Sequence, residues 1–178
     1  MKKIISFIIC ISLIFCFAGC KKRRDTSSLN CRNIVETIKN SYGSSYAPNT
    51  EIPDEVLSTD FGLVLSDIED YYGEMPQIGY ASDRIVAVKA VHNKTDAVVE
   101  CFENAKKDFL KDDMQYSNTA KVNSAVILQE GDFVCFFMLG DNYQDTKIGE
   151  EETEEESEFY KEQIQIGVDA WNQLFYEN

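Results

Sequence analysis

The sequence predicts an α+β fold, a two-layer sandwich in which a four-stranded, mainly antiparallel sheet carries helices on one face and an amphipathic C-terminal helix follows. Three observations lead there. The stretch RIVAVKAV (84–91) is rich in β-branched residues, which suit a pleated, packed surface. Residues 123–139, NSAVILQEGDFVCFFML, hold two apolar runs around Gln129-Glu130-Gly131-Asp132, the pattern of a hairpin with Gly131 at its strained turn position. Between these segments Val98, Cys101, Phe102, Ala105, Phe109 and Leu110 recur three and four apart, which gives a helix one apolar stripe. The predicted order is helix, strand, strand, helix, strand, strand, with a further short helix before the first strand. Strands joined by short turns pair antiparallel, and helices cover the apolar side of such a sheet.

The N-terminal segment is of another kind. Lys2 and Lys3 precede an apolar run from Ile4 to Gly19. That run is shorter than the roughly 20 residues a spanning helix needs. A basic start, an apolar middle and small residues at the end make a secretory signal. Ala18-Gly19-Cys20 resembles a bacterial lipobox, with Phe17 where that motif usually has leucine. The expectation is cleavage before Cys20 and lipid on its sulfur, leaving the domain on the extracytoplasmic side. The alternative is an uncleaved membrane helix, in which Lys21, Lys22, Arg23 and Arg24 favour a cytoplasmic domain. The same four cations are expected either to assist a lipid anchor on an anionic surface or to act as a solubilising tether over residues 20–29.

The 178 residues carry a net charge of −14, and loss of Lys2 and Lys3 with residues 1–19 brings it near −16. Such a chain is a poor partner for nucleic acid, whose phosphates call for Lys and Arg; it favours solubility or cationic partners. Cys10 and Cys16 belong to the signal. Cys31, Cys101 and Cys135 are far apart, odd in number and without CxxC spacing, so buried free thiols are the main reading and one disulfide the other.

The domain of residues 30–140 begins at Asn30, a good cap for a helix with Ile34, Val35, Ile38 and Tyr42 on one side and Gly43 at its end. Pro53-Asp54-Glu55 opens a short helix, with acids against its dipole. A first strand falls within residues 70–81, at a sheet edge because Gly73 and Pro76 interrupt it. Ala81-Ser82-Asp83 forms a turn before the strand 84–91. Asn93 caps the long helix, with Asp96 in a capping-box arrangement, and a polar connector leads to the hairpin. Residues 141–158 read as an acidic linker, because seven glutamates in the nine positions 150–158 repel one another. In the helix 159–178, Tyr160, Ile164, Val168, Trp171 and Phe175 share a face that docks back on the domain or, alternatively, enters a partner's groove.

The segment from Cys31 to Leu139 resembles a family of Firmicute lipoproteins defined by domain of unknown function 4358. The matching features are Ala18-Gly19-Cys20, the strand RIVAVKAV, the charged helix with Asp96-Ala97-Val98, a connector with Tyr116, and the hairpin around Gly131. These are packing patterns. The resemblance implies a fold and no catalytic residues.

Chemistry-bearing constellations are sparse. His92 is the only histidine, at a strand–helix junction, and no spacing sets it beside Ser82 or Cys101 as a triad requires. Too few His and Cys remain for a site built from several of them. The acids Asp67, Glu69, Asp70, Asp112 and Asp113 would serve a hydrolase only as a pair facing across a cleft. Tyr42, Tyr46, Tyr71, Tyr72, Tyr80 and Tyr116 lie in or beside loops, where tyrosines contact partners or end core elements. The resulting expectation is a lipid-anchored, noncatalytic envelope domain without cofactor. Its ligand would be an envelope protein or wall component, contacted through Trp171, Phe175, Tyr71 or Tyr72. A carboxylate-dependent hydrolase of envelope glycan or peptide is the alternative.

Overall fold

A computed structural model describes residues 22–77, 82–111, 118–144 and 153–177. The expectations for the signal, Cys20, Lys21, Tyr80, Tyr116, Asp112, Asp113 and positions 145–152 lie outside the described residues.

The helix α1 (Cys31–Tyr42) is capped as expected: the Asn30 side chain accepts from Asn33 N at 2.9 Å, and Gly43 takes φ 54° at the other end. The short α2 (Asp54–Thr59) follows Pro53. Among the described residues the sheet has five strands, β1 (Thr50–Glu51), β2 (Ile68–Met75), β3 (Arg84–Ala90), β4 (Val126–Glu130) and β5 (Phe133–Met138). Their spatial order is β1-β2-β3-β5-β4, and every neighbouring pair is antiparallel. The extra strand, β1, has two residues and no apolar pattern, so nothing in its sequence announced it. It also takes the edge expected of β2, pairing Thr50 with Met75 and Glu51 with Glu74. The hairpin is as expected, tightened to a two-residue turn: Glu130 pairs with Phe133 and Gly131 has φ 60°.

The α+β class holds, but the helices lie on both faces of the sheet instead of one. Val86, Val88, Ala90, Val134, Phe136 and Met138 pack with α2 and with α3 (Thr95–Phe109), where Phe61, Phe102, Phe109 and Phe136 form a cluster of ring contacts. Ile85, Ala87, Phe133, Cys135 and Phe137 pack with α1 and with the C-terminal helix α5 (Glu154–Phe175). The physical reason is in the central strands. All of β5 and six of seven residues of β3 are buried, a run without alternation, and a strand of that kind needs cover on both sides. Close approach of α5 depends on Gly167, where a Cβ would come within 2.6 Å of the Phe137 ring and 2.9 Å of Tyr42 OH.

Three further expectations change. Asn93 does not cap α3; it adopts φ 65°, a left-handed conformation that asparagine tolerates, and the helix starts after Lys94 without a side-chain cap. The polar connector contains a helix, α4 (Thr119–Ser124), capped by the Asn118 side chain, which accepts from Lys121 N at 2.9 Å. The acidic run belongs to α5 from Glu154 onward. Thr153 caps it, accepting from Glu156 N at 3.2 Å, and Glu154, Glu155 and Glu156 sit at the positive end of the helix dipole, where clustered acids are favourable.

The basic residues after Lys21 are likewise part of the fold and not a loose tether. Arg24 N donates to Phe175 O at 2.9 Å and Glu177 N donates to Lys22 O at 2.8 Å. Arg23 and Tyr176 form an antiparallel bridge, and Arg23 and Tyr176 both engage the Glu130 carboxylate. Both ends of the described chain therefore meet beside the β4–β5 turn. Ala90 N donates to Asp132 O at 2.8 Å and Val91 N to Asp67 O at 2.9 Å, which puts the segment before β2 at the same end of the sheet. We call this the hairpin end, and the opposite one, where β2 stops and β3 starts, the far end.

Candidate functional site

Polar side chains gather in three places. At the far end, Lys121 of α4 is buried to 1% exposure. Its ammonium is 2.8 Å from each oxygen of Asp83, 2.7 Å from Gly140 O and 3.1 Å from Asn142 Oδ1. Burial pushes the Asp83 carboxyl up, and the adjoining ammonium works against that. The arrangement ties α4 to the start of β3 and the segment after β5. Lys106 of α3 supports it from the other side, donating to Asn123 O at 2.8 Å and Ala125 O at 2.6 Å. Beside Asn142 lies an open hollow of about 630 Å³ lined by Asp141, Asn142, Tyr143, Gln144 and Phe159.

The second cluster spans α1, β1 and β2. Glu74 accepts from Lys39 Nζ at 2.8 Å, Tyr46 OH at 2.9 Å and Tyr72 OH at 2.9 Å. Burial raises this carboxyl, but the hydrogen bonds from Lys39, Tyr72 and Tyr46 together outweigh burial, so it stays below its ordinary value and remains ionised. Burial, reinforced by Glu74, pushes both tyrosine hydroxyls up. The Arg32 guanidinium lies 3.8 Å above the Tyr72 ring and 3.5 Å from Glu51, and Lys39 lies 5.0 Å from the Tyr46 ring. Arg32 and Lys39 are both about half exposed. The result is a strip of cations seated on aromatic rings, held in place by one buried carboxylate.

The third cluster is the junction at the hairpin end, where Arg23, Arg24, Thr26, Glu130, Gly131 and Phe175 line a small hollow of about 70 Å³.

The residues singled out from sequence distribute unevenly over these places. Trp171 and Phe175 are 3% and 2% exposed, with ring centroids 4.5 Å apart, and Phe175 also meets Phe133 at 6.1 Å. They fasten α5 to the sheet and present no surface for a groove. Tyr71 and Tyr72 are neighbours in β2 and so point to opposite faces. Tyr72 joins the strip, whereas Tyr71 donates to Asp54 of α2, a bond that pushes its hydroxyl up to about 12. Ser82 and His92 flank β3 at opposite ends, more than about 20 Å apart at strand spacing, so they form no dyad. Cys31, Cys101 and Cys135 are free, and burial pushes all three thiols up, which leaves little thiolate for nucleophilic chemistry.

The acids are taken up as well. Asp67 pairs with Lys94 at 3.0 Å, Glu69 with Lys89 at 2.7 Å, and Asp70 accepts from Cys31 N at 2.9 Å. Glu74 and Asp83 are two buried acids on the α1 and α5 side of the sheet. A carboxylate hydrolase needs two acids facing across an open cleft, whereas Asp83 is 2% exposed with both oxygens on Lys121 and Glu74 is taken up by Lys39, Tyr46 and Tyr72. Among the described residues no three His, Cys, Asp or Glu side chains come together as metal ligands would, and no described helix is long and apolar enough to cross a membrane. Sequence reasoning missed Lys121, Lys39 and Arg32. Only the last two carried a signal, their position on the polar side of an amphipathic helix facing a predicted strand.

No curated protein and no solved structure matches the chain. A family described as Domain of unknown function (DUF4358) matches residues 41–139. This stretch holds the entire sheet together with α2, α3 and α4, whereas α5 and almost all of α1, which cover the other face, lie outside it. With more than half of its length inside that match, the chain belongs to the DUF4358 family.

Proposed function

We propose that this protein is held at the extracytoplasmic face of the membrane by lipid on Cys20 and acts there as a noncatalytic binding domain for an envelope protein or wall component. The observation that carries the reading is the meeting of both chain ends at the hairpin end, two residues after Cys20, which leaves the far end and much of the cation–aromatic strip free to face outward. The strip is the binding surface of this proposal. Arg32 and Lys39 are about half exposed beside Glu51 and Glu74, and an anionic partner would compete with those carboxylates for them.

The test has two parts on the full chain. Replacing Cys20→Ala should abolish lipid attachment, read by mass spectrometry, and release the protein from the membrane fraction; unchanged attachment would refute the anchor and favour the uncleaved membrane helix. Binding to purified envelope polymers should then fall at least about tenfold in Arg32→Glu/Lys39→Glu, since two rim charges are reversed. Equal binding by both forms would move the site elsewhere. Turnover of an envelope glycan or peptide that survives Arg32→Glu/Lys39→Glu and is lost in Glu74→Gln would favour the hydrolase instead.

A further inference from the structure

Three exposed large apolar side chains stand out among the described residues, and two of them, Val64 at 55% and Leu65 at 42%, are adjacent. They lie just before β2. Asp67 N donates to Val64 O at 2.9 Å, and Asp67 O accepts from Val91, the residue that follows the Ala90–Asp132 hydrogen bond. Both are therefore displayed at the hairpin end. Around them the same end carries four ion pairs, Lys22–Glu177, Arg23–Glu130, Lys94–Asp67 and Lys89–Glu69, whose cations stay between 39% and 79% exposed. Elsewhere the surface is dominated by acids, including the glutamates that open α5 at the far end.

We infer that the hairpin end is a membrane-resting surface, on which Val64 and Leu65 enter the headgroup layer and the ion pairs around them stay at headgroup level. This rests on the anchoring reading above and adds an orientation to it. The geometry follows from where the described chain begins. Lys22 is fixed to Glu177 by a main-chain bond, and two residues span at most about 7 Å. Lipid on Cys20 thus leaves no slack for the domain to tumble on a leash; the end that carries the junction is drawn against the bilayer. Two adjacent apolar side chains ringed by charged pairs suit an interfacial contact, in which the apolar groups enter and the charged ones remain with the headgroups. The polarity of the fold then follows. Helix α5 runs from the acidic far end to the membrane, and the cation–aromatic strip lies along the side.

The test uses the full chain recovered in membranes and transferred to phosphatidylglycerol–phosphatidylcholine vesicles with brominated or ordinary acyl chains. A Cys101→Ser background removes the half-exposed native thiol, and a fluorophore is placed through Leu65→Cys or, as a control at the far end, Glu154→Cys. Quenching of the position-65 probe by at least about twofold, with no change at position 154, is expected for insertion by an interfacial contact. Adding Arg23→Glu to the position-65 protein should reduce that quenching, because it sets a second carboxylate against Glu130 and loosens the junction that holds the orientation. Equal quenching at both positions, or none at position 65, overturns the inference. The intact mass of the same sample separates the two levels. An acylated chain without quenching at position 65 removes only the orientation, whereas an unacylated Cys20 removes the anchoring reading and this inference with it.

Discussion

Lys121 and Lys22 each hold a carboxylate, at opposite ends of the molecule, and the two pairs differ in almost everything but chemistry. Lys121 and Asp83 are 1% and 2% exposed, with Gly140 and Asn142 supplying the remaining acceptors. Lys22 and Glu177 are 79% and 48% exposed and 3.1 Å apart. Removing one partner of the first pair leaves a charge stranded in a poorly polarisable interior. Removing one partner of the second leaves a charge in water. The far end is thus a polar knot that joins the loops around it, and the hairpin end is a clasp of main-chain bonds with an exposed ion pair beside them.

The sharpest way to break this comparison is Lys121→Met. It should lower unfolding free energy by about 3–5 kcal/mol, the usual cost of stranding a buried charge, read from urea denaturation. Adding Asp83→Leu should restore most of the loss, because the pair as a unit is close to neutral against well-packed apolar groups. A single-variant cost below about 1 kcal/mol would mean the two ends are energetically alike. Next in size, Gly167→Val should cost about 1–3 kcal/mol by forcing α5 off Phe137 and Tyr42, and should raise the near-ultraviolet signal change of Trp171 at lower denaturant.

The Glu74 cluster should fall between the ends. Its carboxyl is held below the ordinary value, so its contribution is fully present above the unfolded-state value near about 4.3 and is lost as pH falls through the folded-state value. Glu74→Gln should cost about 1–3 kcal/mol at neutral pH, the range for hydrogen bonds to a charged group. It should also flatten the acid limb of the stability profile; an unchanged limb would show that Glu74 is not ionised in the fold. The smallest effect belongs to Glu177→Gln, within about 0.5 kcal/mol as for exposed pairs. Hydrogen exchange at Arg24 N should nonetheless stay protected in that variant, since its acceptor is the Phe175 carbonyl. Loss of protection would mean the side chains, and not the backbone, hold the clasp.

Much of the fold was readable wherever local chemistry and tertiary packing agree. Asn30 caps, Gly43 ends α1 and Gly131 turns the hairpin because each of those positions needs a particular backbone geometry that its residue supplies. The unbroken apolar runs of β3 and β5 held a further message, cover on both faces, which a two-layer reading overlooked. Other features depend on partners far along the chain. Lys121 sits in a polar connector and gains its meaning from Asp83 and Gly140, neither of which shares any periodicity with it. Arg23 reads as one of four loose cations until Tyr176 and Glu130 are beside it. Tyr72, paired with Tyr71 in the sequence, instead has Glu74 and Arg32 as its companions, because the pleat turns Tyr71 to the other face.

The clasp also has a mechanical meaning. If the N-terminal arm is pulled, as the proposed lipid on Cys20 would allow, tension enters at Lys22 and meets first the bonds to Glu177 and Phe175, which can peel one at a time. The core bonds of β3 and β5 lie behind them and need not yield. Freeing residues 22–29 up to the cap of α1 would lengthen the leash by about 27 Å at extended spacing. The N-terminal arm would then act as a reversible extension spring, short at rest and longer under load, while the core stays folded.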